Sequence, residues 1–275
     1  MRGYRSRFCP SLVTAVLALF LAFAPTAHAK VDFTDIWETE GGTEPGWGVN
    51  FAHTGDFIFA TFFIYGPNGA PVWYTAQLLR TTGDTFSGGV YVTSGTWFGA
   101  PVFIPVPPGN VVAVGDATFT ATNNHRGTFH YRVDTVAVNK NIERFTTTSF
   151  SVADIYLGGS AGTVAGSTCA TGTTGSFVQT MQFRVTQTAA SVLRIEFSGA
   201  DSTNRGQLLC AMQGPATQRG KLLEMSGAGY QCTGGAAKTA DVASIRLLDD
   251  GIEAHWTSSL GGTCVEQGRL AGVKQ

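Results

Sequence analysis

Residues 47–74 read WGVNFAHTGDFIFATFFIYGPNGAPVWY, three aromatic-rich apolar runs separated by two short polar segments. Such a pattern is a β-meander, whose strands pair with their neighbours in sequence. His53-Thr54-Gly55-Asp56 divides the first run from the second, and Gly66-Pro67-Asn68-Gly69-Ala70-Pro71 divides the second from the third. Gly and Asn tolerate positive φ and Pro pre-sets φ, so both segments are hairpin connections. Along the middle run Phe57, Phe59, Thr61, Phe63 and Tyr65 point one way, and Ile58, Ala60, Phe62 and Ile64 the other. Neither face is polar. A strand of this kind is expected to be covered on both sides, or to line an apolar interior while packing against something outside.

The chain begins with a targeting pattern over residues 1–29. Arg2, Arg5 and Arg7 form a basic start, Leu12 to Phe23 an apolar run, and Ala27-His28-Ala29 an A-x-A cleavage signal. The apolar run is too short for a spanning helix, and no later stretch is long and apolar enough for one. The expectation is a secreted or periplasmic protein, cleaved near Ala29, with no transmembrane segment. The signal carries three of the 18 basic residues and none of the 19 acids, so the mature balance is 15 minus 19, or −4. That mild acidity offers no basic stripe for nucleic acid. Charged residues are only 13% of the chain, which suits hydroxyl-decorated strands more than charged helices.

Cys169, Cys210, Cys232 and Cys264 all lie in the second half of the chain. In an exported protein they are expected to form two disulfides, with all three pairings open. A zinc site is disfavoured because no C-x-x-C pair or Cys/His ladder is present. The composition divides the mature chain accordingly: residues 30–148 form an aromatic-rich, barrel-like β-module, 149–165 a linker, and 166–275 a cysteine-bearing β-module.

After the opening meander the first module continues with strand patterns at Phe86 to Thr93, over VVAVGDATFTATN, through Phe129, Tyr131 and Val133, and from Val136 to Phe145. The prolines of APVFIPVPPGN, residues 100–110, deny ladder donors and mark a loop or an edge. Seven or eight sequential strands without a helix favour an up-and-down barrel or a strongly curled sheet. The second module has short strand patterns throughout, and Asp249-Asp250-Gly251 is a hairpin signal. Those acids are turn chemistry, since EF-hand spacing is missing. The fold class expected is all-β, with two antiparallel meander modules, the second smaller and disulfide-braced.

The segment from Asp35 to Tyr74 resembles a module recurrent in secreted proteins of proteobacteria. The likeness falls on Trp37, Gly46, Trp47, Gly48, Gly55, Asp56, Phe59, Ala60, Thr61, Phe63, Tyr65, Gly69, Pro71, Trp73 and Tyr74. GDATFTATNNHRGTFHYRVD and KNIERF are similar to the same family, and YLGGSAG with GRLAGV resembles its partner module. The resemblance implies export and an all-β build and supplies no catalytic residue. Phe62-Phe63 stands where that family more usually has a Trp.

Candidate chemistry is sparse. Gly158-Gly159-Ser160-Ala161-Gly162 fits G-x-S-x-G, but a nucleophile elbow needs a helix after it, and the following residues lack helical period. His53 and Asp56 sit close enough in one turn to orient a general base, but with no nucleophile placed by sequence the preferred reading is that Asp56 caps the turn by bonding backbone N–H groups. Glu38, Glu40 and Glu44 near Trp37 offer paired carboxylates of the glycosidase kind, or a solvated loop. Trp37, Trp47, Trp73, Tyr74 and Trp97 fall at strand ends, where a barrel mouth lies, and Trp73 and Tyr74 point to opposite faces. The expected function is a non-catalytic binding or interaction protein. It would hold a small apolar molecule or a glycan at Trp47, Trp73, Tyr74, His53 and Asp56, or contact a protein partner. No cofactor or metal is implied. A secreted hydrolase, or a structural accessory of the cell envelope, is the alternative.

Overall fold

The computed structural model describes residues 31–188, 191–200 and 207–275, so the targeting pattern of residues 1–29 lies outside the described residues. Eight strands, β1 (Asp35–Thr39), β2 (Gly48–Thr54), β3 (Phe57–Tyr65), β4 (Pro71–Thr82), β5 (Thr85–Thr93), β6 (Val111–Ala121), β7 (Arg126–Val133) and β8 (Val136–Arg144), run antiparallel in sequence order. β8 returns to pair with β1 and closes an up-and-down barrel. Eight more follow: β9 (Asp154–Ala165), β10 (Gly175–Gln187), β11 (Val192–Ala200), β12 (Gln207–Arg219), β13 (Leu222–Cys232), β14 (Lys238–Leu248), β15 (Gly251–Gly261) and β16 (Cys264–Lys274). They close a second barrel through β9 and β16. The all-β, two-meander architecture is therefore as expected, and the second module matches the first in strand number.

Alternation decides what fills each barrel. Ile58, Ala60 and Phe62 of β3 are fully buried, and so are Phe33, Trp37, Phe86, Phe119 and Phe129 from other parts of the first module. Rings meet rings across the interior, with centroids 4.7 Å apart for Phe51 and Phe119 and 5.0 Å for Phe62 and Tyr131. Side chains of this size fill an eight-stranded barrel without leaving a channel.

The connection between barrels is shorter than the sequence suggested. Residues 154–165, within the stretch read as linker, form β9, and only 145–153 join the two barrels. The Gly/Ser composition has a steric origin. A Cβ on Gly158 would fall 2.0 Å from the Ala271 carbonyl oxygen, and one on Gly162 would fall 2.1 Å from that of Gln267. Close approach of β16 thus demands small residues there. Ser160 of the G-x-S-x-G match is buried mid-strand and accepts from Trp256 Nε1 at 3.4 Å, so there is no nucleophile elbow.

The two barrels begin and end alike, a repeat the residue types only faintly show. Phe33-Thr34-Asp35-Ile36-Trp37 and Val152-Ala153-Asp154-Ile155-Tyr156 occupy equivalent positions. Trp37 Nε1 donates to the Phe33 carbonyl at 3.1 Å, and Tyr156 Oη donates to that of Val152 at 2.8 Å. Each aromatic is in register with a cation on the last strand, Trp37 with Arg144 and Tyr156 with Lys274. Each aspartate pairs with that cation, at 2.9 Å for Asp35–Arg144 and 3.5 Å for Asp154–Lys274.

Both disulfides form at the end of the second barrel away from the first. Cys169–Cys264 ties the β9–β10 connection to the start of β16, at the closing seam, and Cys210–Cys232 joins facing residues of β12 and β13.

Candidate functional site

Because each strand runs against the last, the β1–β2, β3–β4, β5–β6 and β7–β8 connections of the first barrel share one end, here the outer end. The opposite end rests on the second barrel. There Asp32 faces Lys221 Nζ at 3.7 Å and Arg246 at 3.2 Å, Asp35 Oδ2 accepts from the Lys221 backbone N–H at 3.2 Å, and His125 Nδ1 lies 3.2 Å from Glu224. Burial would raise the Asp32 carboxyl, but hydrogen bonds from Thr34 and the charges of Lys221 and Arg246 outweigh it and hold it below its ordinary value.

The residues singled out by sequence do not converge. His53 lies at the junction end with its side chain 4% exposed. Its Nδ1 accepts from the Phe33 backbone N–H at 3.1 Å and its Nε2 donates to the Gly55 carbonyl at 3.0 Å, so both ring nitrogens serve the backbone. Burial holds this imidazole below the usual histidine range. Asp56 accepts from Arg80 Nε at 2.9 Å. His53 thus serves the backbone and Asp56 serves Arg80, which leaves the alternative of a general base oriented by Asp56 without geometric support. The carboxylates near Trp37 are separately engaged: Glu40 with Arg126 at 3.3 Å, Glu44 with Lys140 Nζ at 2.5 Å.

The tryptophans scatter as well. Trp37 is core. Trp47 is half-buried at the outer mouth, where its Nε1 donates to Tyr131 Oη at 3.2 Å. Tyr74 faces inward and stacks on Phe62, with centroids 5.7 Å apart. Trp73, one residue before it, faces outward.

What the structure does gather is apolar surface on the outside. Phe63 and Trp73 are directly paired across β3 and β4 and are 51% and 47% exposed. Phe59 and Tyr65 flank them on the same face, also exposed. The outer face of β3, expected to be covered, is open among the described residues. Tyr65 lies over the β1–β2 connection, since a Cβ on Gly46 would meet its hydroxyl at 2.8 Å. Beside this wall, Thr93 at the end of β5 leads into the 94–110 connection. The predicted loop is ordered by its own bonds: Ser94 N–H donates to Asn110 O at 3.1 Å, Thr96 Oγ1 to Ile104 O at 2.8 Å, and Ile104 N–H back to Thr96 Oγ1 at 3.1 Å. Trp97, Phe98, Phe103 and Ile104 stand out from it into solvent. Sequence reasoning singled out Trp97 at a strand end and passed over Phe98, Phe103 and Ile104. The apolar character of both faces of β3 was the signal that pointed to the wall.

The second barrel carries different concavities. A trough of about 930 Å³ on its outer wall is lined by Arg184, Arg194, Glu196, Gln213 and Lys238 among others. A cavity of about 50 Å³ lies in its interior between Phe177, Tyr230, Trp256 and Glu266. Burial pushes the Tyr230 phenol up to about 12 and raises the Glu266 carboxyl. Among the described residues no group of three or more His, Cys, Asp or Glu is placed to hold a metal ion, and no helix is long and apolar enough to cross a membrane. No protein-family model, curated protein or solved structure matches the chain.

Proposed function

We propose that this is an exported, non-catalytic interaction protein that takes its partner on the outside of the first barrel. One observation carries the reading: the first barrel is filled with aromatic rings while an equally aromatic face, Phe59, Phe63, Tyr65 and Trp73, stays open to solvent. A barrel packed in this way has no room for the internal apolar ligand that strand-end tryptophans suggest. Contiguous exposed apolar surface marks interaction sites, because leaving it in water is costly unless something covers it. Catalysis finds no support in the geometry, since His53 is spent on the backbone and Glu40 and Glu44 are each engaged by a cation.

The test is co-sedimentation of the purified mature chain with the total membrane and wall fraction of its source cells. The wild type is expected to pellet with that fraction, and a Phe63→Ser/Trp73→Ser variant to stay in the supernatant. Equal behaviour of the two would overturn the reading. Native mass spectrometry of the protein from its own host is expected to show a bare mass with two disulfides, because rings fill the first barrel's interior.

A further inference from the structure

We infer that the 94–110 loop of the first barrel inserts into the headgroup boundary of a lipid bilayer and seats the barrel's outer end on an uncharged membrane surface. The inference rests on the docking reading above and names the partner.

Residues 57–79, which build the open wall, and 85–115, which build β5, the loop and the start of β6, contain no Asp, Glu, Lys, Arg or His; the comparable uncharged run of the second barrel, 155–183, is rich in Gly, Ser and Thr instead of rings. Topology brings both first-barrel stretches to the outer end. There the loop projects Trp97, Phe98, Val102, Phe103, Ile104 and Val106, all exposed, with Phe98 at 97%. Val111 and Val136 add to the same end, each at least 46% exposed. Behind this apolar tip Lys140 pairs with Glu44 and Arg132 with Asp116, and the exposed Asp134 of the β7–β8 turn receives Arg132 on its carbonyl. A tip of aromatic and branched side chains with few charges beside it matches the interfacial region, where Trp and Tyr rings settle at the headgroups.

The loop's form decides between occupants. Its apolar side chains stand out into solvent, and a projecting apolar tip needs either a matching recess or a fluid phase that closes around it. A second copy of the chain offers poor complementarity, since the 930 Å³ trough sets Arg184, Arg194, Glu196 and Lys238 between its apolar lining residues Phe197 and Leu209. A bilayer needs no recess. Nor does the barrel span one. The outer faces of β7 and β8 carry exposed His130, Arg132, Asn139 and Asn141, so the apolar wall covers only one side and the barrel lies on the surface.

The repeat within the chain supports a function for the loop. At the equivalent end of the second barrel, the described connections are 166–174, 233–237 and 262–263, made of Gly, Ser, Thr, Ala and Cys without an apolar residue larger than alanine other than cysteine. Among these described connections none is an apolar loop, and the β13–β14 one, which corresponds to the 94–110 loop, closes its hairpin with five small residues.

The test is flotation of the mature chain with phosphatidylcholine vesicles, at low and high salt, read together with Trp fluorescence. The wild type is expected to float at both salt concentrations with a blue-shifted emission. A Trp97→Ser/Phe98→Ser/Phe103→Ser variant is expected to lose at least tenfold in bound fraction at an unchanged melting temperature. Val178→Ser, at an exposed site on the second barrel, is expected to float like the wild type. Four results would overturn the inference: no flotation, flotation undiminished in the loop variant, flotation confined to anionic vesicles and abolished by salt, or a dimer that the loop variant dissociates. If vesicles fail while the wild type still pellets with the cell fraction and the Phe63/Trp73 variant does not, the lipid partner falls and the docking reading stands.

Discussion

Arg144 donates to Asp35 at 2.9 Å while its side chain is wholly buried, and the same guanidinium donates to the carbonyls of Asn124 at 2.7 Å, Thr34 at 3.2 Å and Asp32 at 2.5 Å. The seam between β1 and β8 pairs only Trp37, Glu38 and Thr39 with Arg144, Glu143 and Ile142. So short a ladder needs a further clasp, and Arg144 provides it from inside. Burial lowers its affinity for the proton, but Asp35 and Asp32 counter that, and it stays a cation.

Arg144→Met should therefore leave Asp35 buried without its partner and orphan three carbonyl bonds. A loss of about 3–5 kcal/mol is expected in denaturant unfolding. Lys274→Met at the equivalent seam of the second barrel removes a pair that is more than a third exposed on both sides, and should cost under about 1 kcal/mol. Equal costs for the two variants would show that the buried clasp has no special weight.

Gly220 at the β12–β13 turn sits beneath this clasp. Its φ is +57°, and a Cβ there would lie 2.5 Å from Asp35 Oδ2 and 2.9 Å from Arg144 Cβ. Gly220→Ala pays for a left-handed backbone and pushes the second barrel off the first, so it should destabilise by about 1–3 kcal/mol. Gly55→Ala, also at positive φ but with open space around it, serves as the strain-only control and should cost less. Melting temperatures of the two variants check the difference.

Much of this arrangement was legible in residues 47–74, and the illegible parts have physical causes. Turn residues and alternation place β2, β3 and β4, because local φ preferences and period-two patterning need no tertiary knowledge. Trp73 and Tyr74 show the limit. Parity puts them on opposite faces, but with both faces apolar no pattern says which one turns inward, and only closure of the barrel puts Tyr74 on Phe62. β9 was hidden because its glycines answer to carbonyls of β16, a hundred residues away. Likewise the seam clasp joins Asp35 to Arg144 across the whole module, and the cysteine pairing follows from which strands become neighbours.

Acid should weaken the fold through its histidines. Burial lowers the proton affinity of His53, His125 and His255 alike. The unfolded chain then takes up protons first, so stability is complete above the unfolded value of about 6.5 and falls as pH drops through it toward the folded values. At His53 the reason is visible: protonating Nδ1 would remove the acceptor of the Phe33 N–H. Glu38 and Glu266, raised by burial, act in the opposite sense. The readout is therefore the difference between wild type and His53→Gln, whose denaturation midpoint should change less between pH 7.5 and 5. Parallel pH profiles would remove His53 from the account.

The two disulfides should contribute unequally. Cys169–Cys264 spans 95 residues and Cys210–Cys232 spans 22. On chain-entropy grounds the first stabilises by about 4–5 kcal/mol and the second by about 3. Cys169→Ser/Cys264→Ser should thus lose more than Cys210→Ser/Cys232→Ser, and its β9–β16 amides should exchange hydrogen faster, because that bridge staples the closing seam. The reverse order would indicate that the unfolded chain is already compact around one of the bridges.

Aromatics inside and outside the first barrel should part company on substitution. Phe119 is fully buried and touches the rings of Phe33, Trp37, Phe51 and Phe86, so Phe119→Ala should open a cavity and cost about 3–5 kcal/mol. Phe63, half exposed on the wall, loses little packing when truncated, and Phe63→Ser should stay within about 1 kcal/mol of wild type. The same substitution should raise solubility, since it breaks the apolar face that the isolated protein leaves in water. Unfolding midpoints and precipitation thresholds of the two variants test this directly. A large stability loss at Phe63 would mean that the wall is held as core rather than offered to a partner, and the interaction role would lose its physical basis.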